Sequence, residues 1–261
     1  MLSKKDKQGL LLIAGVLLVL IAIFAVKLNL DAKPKPGADN CVGPILFNTV
    51  VVLDHSERIT DQTSDEIIAR AMTYIHANVK VNERVSIFTI SDLSKAALKP
   101  LVSLCRPPDD GNRVTEYLPL IHKRFEQNFE QPIRDVLKLV PGNEKESPIA
   151  QTIIDISLSQ YLRGSANTLL IFSDMLENTA KFSLYRCTSG GDAIPQYRAS
   201  RRGAKERPDF KNTKVVLNLI PRLNQGQGTL QCRDQLWTWF FGDNSGAQAG
   251  LSFDYLPGGG K

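Results

Sequence analysis

The hydrophobic pattern divides the chain in two. Near its start, LLLIAGVLLVLIAIFAV (10–26) runs without a charged or strongly polar residue. With its flanks this is roughly 17 to 20 residues, the least a membrane-spanning helix needs and long for the core of a signal peptide. Lys4, Lys5 and Lys7 precede the run, so the positive-inside rule keeps the N-terminus in the cytoplasm and exports the remainder of the chain, although Lys27, Lys33 and Lys35 lie on the far side. A cleaved signal peptide is the alternative, without a good small-x-small cleavage site to support it. DAKPKPGADN (31–40) comes next, a Pro/Lys/Gly stretch that stays extended. The expected organisation is a basic cytoplasmic N-terminus (1–9), a transmembrane anchor (10–28), a tether (29–40), one folded domain (41–257) and a flexible tail (258–261).

Beyond the tether the period changes. NTVVVLD (48–54) is apolar on both faces, the pattern of a central parallel strand. In TSDEIIARAMTYIHANV (63–79), Thr63 with Glu66 forms a capping box, and Ile67, Ile68, Ala71, Met72 and Ile75 share one helical face. RVSIFTI (84–90) reads as a second strand, and ALKPLVSLC (97–105) as a third, joined by a short connection and so antiparallel to it. Helical spacing returns at Leu118, Ile121, Phe125 and Phe129, where Pro132 is expected to kink or split the segment. SPIAQTIIDISLSQYL (147–162) predicts a helix with Ser147 as N-cap and Pro148 as its first residue. NTLLIFSD (167–174) repeats the apolar strand that ends in aspartate, and the Gly-, Arg- and Ser-rich residues 187–209 read as a long loop. KVVLNLIPR (214–222) is another buried strand, RDQLWTWFFGD (233–243) a short helix and LSFDYLP (251–257) a last strand. Together these predict an α/β fold: a doubly wound, mostly parallel central sheet with one antiparallel edge strand and helices on both faces.

Such sheets carry their functional groups at the carboxyl ends of the parallel strands, where Asp54 and Asp174 both fall. If their strands are neighbours, the two carboxylates and the hydroxyls of Ser56 and Ser147 converge. An all-oxygen set of that kind suits a hard divalent ion, Mg²⁺ or Mn²⁺ ahead of Ca²⁺. The plainer alternatives are a structural pair held by Arg58 or by loop amides, and helix capping by each aspartate.

Other chemistries lack their residues. There is no GxSxG and no Walker loop, the position a DxD phosphatase needs for its second aspartate holds Ser56, and His55, His76 and His122 form no metal-ligand spacing. The chain therefore reads as a binding protein and not an enzyme, with no small-molecule substrate in view. The formal net charge of +5 does not by itself imply nucleic acid. YRASRRGAKER (197–207) concentrates Arg198, Arg201, Arg202, Lys205 and Arg207 and is either a solvated loop or a surface for an acidic protein partner, anionic headgroups or nucleic acid; the weak aromatic content beside it argues against single-strand stacking. Trp237 and Trp239 cannot both face one side of a helix, so one is expected to be the more exposed. Cys41, Cys105, Cys187 and Cys232 are widely spaced without a CxxC, which permits either two disulfides or four buried thiols.

The three short pieces DHSER, SPIAQ and IFSDM resemble, in that order, the metal-ion-dependent adhesion site of the von Willebrand factor type A domain: DxSxS, a Thr before a helix, and an Asp after a later strand. The resemblance covers residue 48 to the C-terminus. It implies a metal held by Asp54, Ser56, Ser147 (in place of the Thr) and Asp174, with a coordination position left for an acidic residue of a partner protein. Arg58 stands where the pattern has its second Ser; a guanidinium cannot ligate a cation and would modify the site, neutralising the aspartates in a metal's place. The implied fold also pairs Cys41 with Cys105 at the end opposite the motif and Cys187 with Cys232 near it. The resulting expectation is a single-pass inner-membrane protein whose periplasmic body recognises other proteins. A metal-free scaffold subunit of an envelope assembly is the second reading, and a cytoplasmic-facing component of a nucleic-acid or defence system the third.

Overall fold

The computed structural model describes residues 4–31, 35–54, 56, 59–90, 98–112, 116–138, 145–187, 190–210, 212–222, 225–242 and 252–256. His55, Arg58, residues 32–34 of the expected tether, the Ala97 start of the third strand and the 258–261 tail lie outside them. Two compact units are present, Met1–Gly37 and Ala38–Lys261. The first holds α1 (Lys4–Asp31), a single helix whose side chains from Leu12 to Val26 are exposed. Among the described residues no helix is long and apolar enough to cross a membrane.

The second unit is a six-stranded sheet in the order β3-β2-β1-β4-β5-β6. β1 (Phe47–Asp54), β2 (Arg84–Ile90), β4 (Ala166–Ser173), β5 (Thr213–Leu219) and β6 (Ser252–Tyr255) run parallel, and β3 (Val102–Cys105) is the antiparallel edge. β1 lies at the centre because both its faces are apolar: Val50 and Val52 join one core cluster, Val51 and Leu53 the other. The first cluster packs under α5 (Ile149–Leu158), α6 (Ala193–Ser200) and α7 (Gln227–Phe241). The second packs under α2 (Asp61–Asn78) through Ile67, Ala71, Met72 and Ile75, and under the segment from α3 (Leu118–Phe125) to α4 (Gln131–Leu137) through Phe125, Phe129, Ile133 and Leu137.

Several boundaries differ from the sequence expectation. α2 begins two residues before Thr63, and Thr60 is its N-cap, accepting from the Thr63 amide at 3.2 Å. The residues read as a loop contain α6, whose Ala193 and Tyr197 are one turn apart and both buried; the polar Gln, Arg and Ser positions between and after them hide that short apolar face. α7 starts at Gln227, six residues ahead of Arg233. Around Pro132 the segment stays helical but changes type: a π-helical turn, Glu126–Glu130, joins α3 to α4. Proline has no N–H to offer the carbonyl four residues back, which belongs to Asn128, and the Asn40 side chain donates to that oxygen at 2.9 Å.

The entry to the sheet is stitched at several points. The Cys105 amide donates to Asp39 O at 2.8 Å, Asn82 bonds both the N–H and the C=O of Val42, and Cys41 is disulfide-bonded to Cys105. Cys105 pairs with Arg84 at the start of β2, so this bridge sits at the end of the sheet away from Asp54. A second disulfide joins Cys187 to Cys232 in α7. All four cysteines are thus bonded, as the implied pairing had them, which fits an oxidising, extracytoplasmic setting. On the chain-entropy account each loop closure stabilises the fold by about 4 kcal/mol. Replacing Cys41 and Cys105 together by Ala is expected to lower the unfolding free energy by about 2–5 kcal/mol. Urea melts followed by circular dichroism check this, with the far-ultraviolet spectrum before melting unchanged.

Candidate functional site

β1 and β4 are adjacent and parallel, with Leu53 opposite Phe172, so Asp54 and Ser173 end their strands side by side and Asp174 comes next in the chain. From this pair the chain diverges, from β1 toward β2 on one side and from β4 toward β5 on the other. The divergence leaves a crevice at the carboxyl ends where loop side chains can meet.

Asp54 is buried there and is held by hydroxyls from separate segments. Ser56 Oγ donates to Oδ1 at 2.6 Å and its amide to the same oxygen at 3.1 Å, while Ser173 Oγ donates to Oδ2 at 2.6 Å. Ser147 Oγ lies farther off, at 3.5 Å from Oδ1 and 3.4 Å from Oδ2. Ser173 in turn accepts from the Met175 amide at 2.8 Å, and Asp174 Oδ1 from the Leu176 amide at 2.8 Å. These two turns carry Met175 into the left-handed region at φ 59°, a conformation that a side chain with a Cβ adopts at a cost of about 1–2 kcal/mol. The Met175 carbonyl is fixed by Trp237 Nε1 at 2.6 Å, which ties the loop to α7.

Ser147 reaches the site by a route the sequence does not announce. It is not the N-cap of α5; the helix starts at Ile149, and Pro148 precedes it without a side-chain cap. Ser147 and Asn178 instead exchange backbone hydrogen bonds at 2.7 and 3.1 Å, a two-residue antiparallel bridge between the approach to α5 and the loop after β4. That bridge brings Glu177 beneath the helix, where its carboxylate accepts from the Ala150 amide at 2.8 Å. Glu177 therefore caps α5 from another segment. Burial pushes its carboxyl up to about 8, against the lowering pull of the Ala150 and Ile149 amides and the Arg201 charge.

The second carboxylate has a cation. Arg222, just beyond β5, donates from Nε to Asp174 Oδ2 at 2.7 Å, with both side chains at least nine-tenths buried. Burial and the neighbouring Asp54 still raise the Asp174 carboxyl to about 6 in spite of the guanidinium. Arg58, expected as the counter-ion, lies outside the described residues; among those described the cation paired with Asp174 is Arg222, which the strand reading placed without assigning it a role. Ser173, Glu177 and Arg222 are the site residues missed. Ser173 was visible as the residue before the aspartate; Glu177 and Arg222 act across 27 and 48 positions, and local spacing carries no sign of either.

The donor set matches a hard divalent ion in kind, since among the described residues every side-chain atom hydrogen-bonded to Asp54 is an oxygen. Among the described residues no group of three or more His, Cys, Asp or Glu stands in metal-ligating array. The serines supply the remaining oxygens in this cluster, and among the described residues two carboxylates stand beside one guanidinium.

The basic cluster sits on α6 and the turn after it. Arg198 pairs with Glu206 at 3.0 Å, Arg201 bonds Gln151 and the Lys205 carbonyl, and Arg207 lies 5.0 Å from the Trp239 ring and bonds the Phe240 carbonyl. Arg202 and Lys205 are exposed. Three of the five charges thus act within the fold. Trp237 is fully buried and Trp239 half-buried under Arg207, in keeping with the helical spacing.

No protein-family model matches the chain, and no curated protein matches it. Among solved structures, the crystal structure of the human COPII-coat protein Sec24c is similar at 12% identity with a TM-score of 0.37. The match covers 86% of this chain and 30% of that one.

A carboxyl whose folded-state value lies above its unfolded one holds a proton that the open chain has lost, so stability falls as pH rises through the interval. The intervals are 4.5 to about 8 for Glu177 and 3.8 to about 6 for Asp174. Glu177→Gln keeps an acceptor for the Ala150 amide and removes the titration. It is expected to match the parent near pH 5 and to exceed it by about 2 kcal/mol or more near pH 8, read from urea melts at the two pH values.

Proposed function

We propose that the chain is a non-catalytic, protein-recognising domain of the von Willebrand factor type A kind. The observation that carries this reading is the convergence of Asp54, Ser56, Ser147 and Asp174 at the switch point of a doubly wound sheet, in the order and on the elements that the resemblance implies. In this reading Asp54, Ser56, Ser147 and Asp174 hold Mg²⁺ or Mn²⁺. A bound ion supplies a Lewis-acidic position for a carboxylate of an acidic partner protein. The residues of the chain do the rest: Ser173 and the Leu176 amide orient the two aspartates, and burial beside the Trp237-anchored loop keeps them from rearranging.

The N-terminal run of residues 10–26, preceded by Lys4, Lys5 and Lys7, supports a single-pass anchor in the inner membrane with the body in the periplasm. The two disulfides support the same side of the membrane and weigh against a cytoplasmic body serving nucleic acid or defence. A second reading, a metal-free scaffold subunit of an envelope assembly, is favoured by Arg222, which already meets the charge of Asp174. Docking in that case uses helix faces and the exposed Arg202 and Lys205.

Calorimetric titration of Mn²⁺ into the full chain in detergent separates the two. Saturable binding that Asp54→Ala abolishes supports the metal-dependent reading. Absence of binding by the parent chain removes the metal from the native protein and puts the scaffold in front.

A further inference from the structure

Arg222 is paired with one of the two carboxylates that would hold a metal. Ser173 of β4 stands opposite Leu219 of β5, so the chain beyond β5 passes directly beside Asp174. Arg222 then sends its guanidinium to Oδ2 at 2.7 Å, while Oδ1 is taken by the Leu176 amide at 2.8 Å. Each oxygen of Asp174 thus has a partner within the fold, and the partner of Oδ2 carries a positive charge. The ion pair is buried, with 9% of the Arg222 side chain and 4% of the Asp174 side chain exposed. A charge in that setting is screened little by salt and is not exchanged for water without loss.

Asp54 is situated differently. Among the described residues its partners are neutral hydroxyls and one amide, and the hydroxyls can turn a lone pair toward a cation as readily as a proton toward a carboxylate. The two halves of the centre thus differ: the Asp54 half is compatible with an incoming cation, and the Asp174 half already holds one. A divalent ion bound to Asp174 Oδ2 and a guanidinium bound to the same oxygen would be like charges in near contact.

We infer that Arg222 is a built-in competitor for the metal, closing the Asp174 side of the centre until a divalent ion displaces it. This rests on the reading of the Asp54–Asp174 centre as a metal site and names how that site is regulated. Metal binding and the Arg222–Asp174 pair are mutually exclusive, so the parent chain binds metal weakly for its donor set and gives up a buried ion pair when it does. The closed form is the stable resting state, in which the guanidinium offsets part of the charge of the two buried carboxylates.

The test is Mn²⁺ titration by calorimetry at about pH 8, above the usual carboxyl range, on the full chain in detergent. The parent is compared with Arg222→Gln, with Arg222→Met as a second neutral replacement of similar length, and with Arg222→Lys. The neutral variants are expected to bind Mn²⁺ at least about tenfold more tightly than the parent, the scale of an ordinary coupling between two sites, and Arg222→Lys to stay near the parent. In thermal unfolding Mn²⁺ is expected to raise the midpoint of the neutral variants more than that of the parent. Equal affinity in the parent and both neutral variants, or a gain in Arg222→Lys equal to that in Arg222→Gln, overturns the competitor role and leaves the metal reading standing. Binding by the neutral variants alone supports the competitor role and makes the native protein the metal-free scaffold. No binding by any of the four proteins overturns both.

Discussion

The side-by-side termination of β1 and β4 is the constraint on which the rest of the centre depends. Parallel pairing puts Leu53 opposite Phe172, and it is this register that brings the Ser173 hydroxyl within 2.6 Å of the Asp54 carboxylate. A slip of one residue would turn every side chain of β4 to the other face and leave Asp54 buried without that donor. Close packing opposes the slip, because Leu169 and Ile171 of β4 fill one cluster and Leu170 and Phe172 the other, and exchanging them would misfit both. Packing of the core thereby fixes the polar geometry at its rim.

Charge at the rim is balanced by segments that are distant in the chain. Two carboxylates end or succeed central strands, a third lies under a helix N-terminus, and each is met differently: Asp54 by hydroxyls, Asp174 by a guanidinium, Glu177 by backbone amides. The N-terminal amides of α5 are natural partners of a carboxylate, being unpaired within the helix and carrying the positive end of its dipole. Glu177 fills that place, so Ser147 is released from the capping role its position suggests and turns toward Asp54.

Periodicity made part of the fold legible in the sequence. β1 and β2 are marked by apolar residues on both faces, and α2 by Ile67, Ala71, Met72 and Ile75 at helical spacing; each lies within a residue or two of its expected place. The aspartates after β1 and β4 were visible because a charge at the end of an apolar run breaks the pattern. α6 was not, because its buried face is only Ala193 and Tyr197 among arginines and serines that bond the surrounding turn. Nor were the contacts of Glu177 and Arg222, which depend on the bridge between Ser147 and Asn178 and on the passage of β5 beside β4. Those are tertiary facts, and local composition encodes them only through the fold as a whole.

The stitched entry at Cys41 has a mechanical meaning. A pull along the segment that precedes the sheet meets the Cys41–Cys105 covalent bond before it reaches β1, six residues further on. The load passes into β3, the short antiparallel edge, and is shared by the Asp39 contact with the Cys105 amide and by the Asn40 contact with the π-helical turn. The central strand that carries Asp54 is shielded from the traction. A domain built this way can bear tension at its base while the opposite rim keeps its shape.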